Sequence, residues 1–328
     1  MQRLLTTPPT IDADHSHPRA STTPSHPLPI KLVYIASPSF SGSTLLTFLL
    51  NAHPAIATVG ELKWGNIDLE KYACSCGKLL SECFFWNAIR AAVVQRGLPF
   101  DLLRPPTDFR FPHWPTIDRF ARAKLRGPIF EILRSLLLNC SPSVHAAWTT
   151  VQDVNRAVIE TALRIQDGTI FLDASKDPVR IKHLMDSNHY TVRLIQLIRD
   201  GRAVTHSACK NKAQTAIHAA TDWRSTHEQI ERLAKKVPSA DFLRVRYEDL
   251  CKNANSALGN IFTFLQLDPD EAAKNPNAIF HHILGNKMRL KPIASIQLDE
   301  SWRRALAHED CCDFERIAGK MNRSYGYD

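Results

Sequence analysis

The stretch Lys31 to Pro54, KLVYIASPSFSGSTLLTFLLNAHP, decides the fold. Leu32 to Ala36 is an apolar run of strand length, and a polar turn of small residues follows it from Ser37 to Thr44. Leu45, Leu46, Phe48, Leu49 and Leu50 then make a helix that is apolar on more than one face and must be buried. Strand, small-residue turn and buried helix form a phosphate cradle, because backbone N–H groups converge on an anion at a helix N-terminus. Counted from Ser37 through Gly42 to Ser43-Thr44, the turn has the length of a P-loop. Ser43, however, stands where a nucleotide triphosphatase carries its lysine. The motif reads as an anion cradle without that lysine.

Outward from this unit, strands and helices alternate. Ile56 to Val59 reads as a second strand, with Gly60-Glu61-Leu62 at its C-terminal end. The pattern returns with strands at Thr169–Asp173, Val192–Ile198 and Phe242–Arg246, and with helices at Val179–Met185, about Ala220–Lys236 and Ser256–Gln266. A last helix is expected over roughly Ser301–Asn322. Such alternation means an α/β protein with a parallel central sheet flanked by helices, and ligands at the C-terminal ends of its strands. Between the second and third strands, from about 70 to 166, aromatics and prolines are dense. Helical patterns appear at Ile129–Leu138 and Val151–Ile165. This segment is expected to be a helical cap lining a substrate pocket. Residues 1–29, rich in Pro, Thr, Ser and His, read as a disordered tail ahead of a single domain over 30–328. His281 to Arg289 reads as a polar loop with clustered positive charge.

The 328 residues, 44% hydrophobic and 23% charged, suit a soluble enzyme, and the net charge of +8 suits an anionic substrate. The basic residues are scattered, which argues against nucleic acid. No apolar stretch reaches the ~18 residues of a membrane span. Met1 to Leu5 passes at once into Thr-Thr-Pro-Pro, unlike a secretory leader, and Asp12 and Asp14 argue against a transit peptide. The expectation is a cytoplasmic protein without membrane or nucleic-acid partners; its oligomeric state is open. Of eight cysteines, Cys74, Cys76 and Cys83 cluster. The paired knuckles of a zinc ribbon are absent. A local disulfide or reduced thiols shaping a loop are therefore expected ahead of a structural metal, and no metal ligand is assigned.

Three of the strand-end loops together resemble the PAPS-dependent sulfotransferases. Ser41-Gly42-Ser43-Thr44-Leu45 is similar to that family's 5′-phosphosulfate loop. Arg199-Asp200-Gly201-Arg202 with Ser207 is similar to its 3′-phosphate motif, and Arg246-Tyr247-Glu248-Asp249-Leu250 to an element bordering the adenine. Gly285 to Arg289 resembles the late basic loop that closes on the 3′-phosphate. The resemblance implies a P-loop NTPase-like sulfotransferase fold and PAPS as donor. It also implies 3′,5′-ADP as product and no metal. The aromatic, helical middle segment suggests a small or medium organic alcohol, phenol or amine as acceptor, with a specialised metabolite preferred. The resemblance assigns donor binding to Ser39, Phe40, Ser41, Gly42, Ser43, Thr44, Arg199, Ser207, Tyr247, Asn286, Lys287 and Arg289.

Sulfuryl transfer also needs a base for the acceptor proton and a cation for the leaving phosphate. Glu61 is the first choice of base, by resemblance to the family branch that places a Glu shortly after the first helix; His53 is the second. Family members usually carry Lys or Arg immediately before the loop's Ser-Gly, where this chain has Phe40. Lys176 is the expected replacement, with Lys63 behind it. Two rival readings stand: a P-loop kinase or NTPase with Asp173 on a Walker-B strand, and a non-catalytic nucleotide or anion binder.

Overall fold

The computed structural model describes residues 28–64, 72–274, 281–285, 290 and 296–328. The chain folds around a five-stranded sheet in the order β2-β3-β1-β4-β5, every adjacent pair parallel. Strand β1 spans Ile30–Ala36 and leads into helix α1, Ser43–Leu50. Edge strand β2, Ile56–Thr58, is followed by four helices before the sheet resumes. These are α2 (Phe84–Gln95), α3 (Pro115–Arg122), α4 (Pro128–Leu138) and α5 (Pro142–Gln166). Strand β3 (Ile170–Lys176), α6 (Pro178–Asp186), β4 (Tyr190–Ile198), α7 (Gly201–Lys212) and α8 (Ala216–Ala234) follow. The sheet closes with β5, Phe242–Arg246. Helices α9 (Tyr247–Lys252), α10 (Ala254–Leu265), α11 (Trp302–Ala305) and α12 (His308–Ser324) complete the order.

The period of two along β1 explains why its sequence is apolar throughout. Leu32, Tyr34 and Ala36 enter one core with α2, α5 and α6, whereas Val33 and Ile35 enter a second core with α1 and α10. A strand buried on both faces cannot alternate polar and apolar residues. The helical segment shares the first of these cores, through Trp86 and Ile89 of α2 and Val154 and Val158 of α5. It is also tied down by a buried ion pair. Arg180 of α6 meets Asp173 of β3 at 2.9 Å, and its other guanidinium nitrogens donate to the Thr107 carbonyl and the Asn155 amide oxygen at 2.7 Å.

Element ends shift by a few residues, β3 for example running on to Lys176, and three features depart further from the sequence reading. Helix α5 begins nine residues before Val151, because Ser141 caps it and accepts from the Val144 N–H while Pro142 occupies the first turn. The helix expected over Ser301–Asn322 is two. Leu306 and Ala307 are extended, which lets Trp302 lie under the Arg202 guanidinium while Phe314 packs against Trp223. His281 to Leu284, read as a polar loop, is buried, with Ile283 and Leu284 in the core.

Candidate active site

The C-terminal ends of the strands open into one cleft of about 940 Å³. Following the order of the strands, its rim carries Glu61 beyond β2, Lys176 at the end of β3, the 37–44 turn after β1, Arg199 after β4 and Tyr247 after β5. Five separate sequence segments thus converge, each at a parallel strand end, where an open sheet places its ligands.

The turn is shaped by conformation as much as by composition. Phe40 has φ 65° and Gly42 φ 91°, both left-handed, and together they curl the chain so that α1 starts at Ser43. Glycine is required at position 42 for a second reason: a Cβ there would lie 2.3 Å from the Tyr247 ring. Tyr247 therefore packs directly on the cradle. Above its ring, at 4.6 Å, sits the Arg199 guanidinium, whose Nη1 donates to the Phe40 carbonyl at 2.9 Å. Asp299 pairs with the same guanidinium at 3.7 Å. Burial pushes the Tyr247 phenol up from its ordinary pKa, so it stays a neutral hydrogen-bonding group. The hydroxyls of Ser37 and Ser41 and the Nε of Arg199 are buried without a hydrogen-bond partner among the described residues. Buried donors left open are costly, about 1–3 kcal/mol each, unless a ligand satisfies them. With the helix N-terminus they fit an anion.

Helix α7 starts where Asp200 accepts from the Arg202 N–H at 2.9 Å. Its Gly201 leaves room for Phe314, which a Cβ would meet at 2.3 Å. The helix brings Ser207 to the cleft and, one turn on, Asn211.

At the other end, Glu61 and Lys176 form an ion pair through Oε1 and Nζ, each side chain largely shielded at 15% and 19% exposure. Ser175 positions both. Its hydroxyl accepts from the N–H groups of Leu62 at 2.8 Å and Lys63 at 3.2 Å, and donates to Asp173 at 2.5 Å. Lys176 itself has φ 69°, a left-handed turn that takes its side chain out of the strand's alternation. Lys63 pairs with Asp177.

The cleft thus brings together Ser39, Phe40, Gly42, Ser43, Thr44, Glu61, Lys176, Arg199, Ser207 and Tyr247. Ser41 lies directly beneath, fully buried. His53 is elsewhere: its buried ring is turned to the Asp268 carbonyl at 3.1 Å and accepts from the Ala55 N–H, which locks the chain after α1. Asn286, Lys287 and Arg289 lie outside the described residues, as does the tail up to residue 27. Asp173 faces the core, both carboxylate oxygens engaged by Arg180 and Ser175, so it does not present the free carboxylate of a Walker-B site.

Sequence reasoning missed Lys212, whose Nζ lies over the Phe40 ring at 5.3 Å, and Lys124 and Arg122 on the opposite wall. The i, i+4 step from Ser207 to Asn211 points along α7 toward Lys212; nothing local marks the other two. Among the described residues, six cations and three carboxylates line the cleft. A side pocket of about 190 Å³ adjoins it, sharing Lys63, Arg122, Asp177 and Val179, with Phe109 and His183 behind them. Burial holds His183 at a pKa of about 3, and its Nε2 lies 2.8 Å from the Ala121 carbonyl, so the imidazole is neutral and donates there.

The fold and the anion cradle define a class first: an α/β protein of P-loop-like architecture with its site at the strand ends. Residues 128–271, somewhat under half of the chain, match the model of the sulfotransferase family. The match spans β3 to β5 and the loops at Arg199 and Tyr247. Among solved structures, the sulfotransferase domain of the Synechococcus PCC 7002 olefin synthase is 20% identical, with 93% of this chain and 98% of that one covered at a TM-score of 0.50. The sulfotransferase domain from the curacin biosynthetic pathway is 16% identical, covering 92% and 99% at 0.49. A retinol dehydratase solved with androsterone and the inactive cofactor PAP is 16% identical, covering 92% and 83% at 0.41. No curated protein sequence matches the chain. Among the described residues no helix is long and apolar enough to cross a membrane.

Proposed function

We propose that the protein transfers a sulfuryl group from PAPS to a hydroxyl or amine of a small organic acceptor and releases 3′,5′-ADP. The observation that carries this reading is the order of groups along the cleft: a cradle with open buried donors and Arg199 at one end, and the Glu61–Lys176 pair at the other. A donor with two separated anionic groups needs two anion sites. The 37–44 turn suits the 5′-phosphosulfate, while Arg199, Ser207 and Asn211 suit the 3′-phosphate, with Tyr247 between them.

Sulfuryl transfer, like phosphoryl transfer, proceeds by loose in-line displacement, so positioning and charge stabilisation dominate. The acceptor oxygen or nitrogen bonds to sulfur as the sulfur–oxygen bond to the 5′-phosphate breaks. Glu61 takes the acceptor's proton, and Lys176 balances the charge growing on the leaving phosphate. Lys176 thereby fills the role that a residue at the position of Phe40 has in related proteins, with Lys212 a second cation beside the loop. The side pocket borders the Lys63 side of the cleft, and its lining, charged groups with Phe109 and Val179 between them, suits a compact acceptor.

Thermal stabilisation by nucleotides tests the reading. The protein should be stabilised by 3′,5′-ADP at concentrations where AMP and ATP give much smaller shifts. Equal shifts for all three nucleotides would remove the 3′-phosphate site and the proposal with it.

A further inference from the structure

We infer that Cys74, Cys76, Cys83 and His281 form a structural zinc site that clips the 281–285 segment to the loop ahead of α2. The four side chains offer ligand atoms that all lie within 4.8 Å of one another. The Cys74 and Cys83 sulfurs stand 3.6 and 3.5 Å from His281 Nδ1, and the Cys76 and Cys83 sulfurs are 3.7 Å apart. Tetrahedral Zn²⁺ with ordinary Zn–S and Zn–N bonds requires edges of about 3.8 Å between sulfurs and about 3.5 Å between sulfur and nitrogen. The same spacings are far too long for a disulfide, and all eight cysteines are free thiols.

The surroundings are built to hold this geometry. Residues 72–80 form a tight hairpin in which Ala73 bridges Leu79, Cys74 N–H donates to the Lys78 carbonyl, and Gly77 takes φ 85°. Cys83 caps the start of α2. His281, 198 residues beyond Cys83, is fixed by Phe85, whose ring stacks on it at 4.4 Å and 3°, and by Trp86, whose indole N–H donates to its carbonyl at 3.0 Å. Two backbone-directed bonds between Ser75 and His282, each 2.9 Å, lie beside the cluster. Cys74, Cys83 and His281 are buried. Three thiolates and one imidazole satisfy Zn²⁺ completely and leave no position for substrate, the mark of a structural rather than catalytic site. As zinc binds, the three thiol protons leave to solvent and three Zn–S bonds form.

The consequence reaches the cleft. Beyond His281 the chain passes His282, whose ring lies tilted against Phe48 at 4.8 Å, to Leu284 and Gly285 on the cleft wall, where Gly285 lies against Thr44 and Glu61. The clip fixes a wall of the cleft by joining positions 74 and 281. This assignment is independent of the sulfuryl-transfer reading.

The test uses the full chain, purified without metal-affinity steps and dialysed. Metal analysis should find one zinc per chain. Stripping the zinc under reducing conditions should lower the melting temperature, and one equivalent of Zn²⁺, but not Mg²⁺, should restore it. Co²⁺ added to the stripped protein should give the thiolate charge-transfer band and the intense visible bands of a tetrahedral thiolate site. His281→Gln and Cys76→Ser should weaken Co²⁺ binding by ten-fold or more, whereas Cys140→Ser, remote and exposed, should not change it. Protein that is metal-free as purified and gives no thiolate band with Co²⁺ overturns the inference. So does a Cys76–Cys83 disulfide in non-reducing peptide mass spectrometry, or a stoichiometric iron–sulfur chromophore. The wild-type measurements decide the matter even if a variant fails to fold.

Discussion

On the proposed reading, the nucleotide end of the cleft and the acceptor end are built by different means. At the first, three short motifs sit directly on strand ends, and much of what faces the ligand is backbone: the 37–44 turn, the start of α1, and glycines at 42 and 201 that let Tyr247 and Phe314 approach. At the second, Glu61, Lys176, Arg122, Lys124 and the side pocket come from four separate stretches of the chain and act through side chains. Recognition by backbone leaves a compact trace of small residues in sequence. Recognition by side chains gathered from distant helices leaves almost none.

Substitutions can set the two ends against each other. The largest effect is expected at the acceptor end. Glu61→Gln should lower transfer by about 10²–10⁴-fold, the usual contribution of a general base, while stabilisation by 3′,5′-ADP is retained. Transfer at the normal rate would remove Glu61 as the base. Next comes the joint between the ends. Asp173→Ala leaves the buried Arg180 guanidinium unpaired and should cost about 3–5 kcal/mol of folding stability, read from chemical denaturation. A change near zero would mean that this ion pair does not anchor the helical segment. The smallest effect on the fold is expected at the nucleotide end. Gly42→Ala carries a left-handed strain of about 1–2 kcal/mol and a clash with Tyr247, so the stabilisation by 3′,5′-ADP should shrink sharply. Full retention of the nucleotide shift would separate this loop from the donor.

How much of this was legible follows the same division. The strands were readable because a parallel sheet buried on both faces demands uninterrupted apolar runs, and Phe242–Arg246 coincides with its expected limits. The turn at Ser41-Gly42-Ser43-Thr44 and the Arg199 and Tyr247 loops were readable because helix starts at strand ends require particular small residues. Lys176 was named only as the replacement for the cation that Phe40 lacks, and its pairing with Glu61 was not readable; its left-handed backbone carries no sequence signature, since lysine has no preference for φ of 69°. Lys124 was out of reach because α3 and α8 converge on it only through tertiary packing, its ammonium donating to Ser225 at 3.0 Å. His281 was missed as a companion of the cysteines for the same reason: a cluster split across the whole sheet has no spacing to read.

The Glu61–Lys176 pair has a further meaning once it is considered as timing rather than placement. A carboxylate held by an ammonium is a muted base, and an ammonium held by a carboxylate is a muted electrophile. On the proposed chemistry, an anionic donor entering beside the 37–44 turn competes with Glu61 for Lys176 and frees the carboxylate as the ammonium turns to the leaving group. The backbone favours such coupling, because the Ser37 N–H donates to the Lys176 carbonyl at 3.4 Å and so joins the cradle to the pair. The pair then acts as an interlock: the base becomes available when there is a donor to react with, and the reaction acquires an order, donor before acceptor.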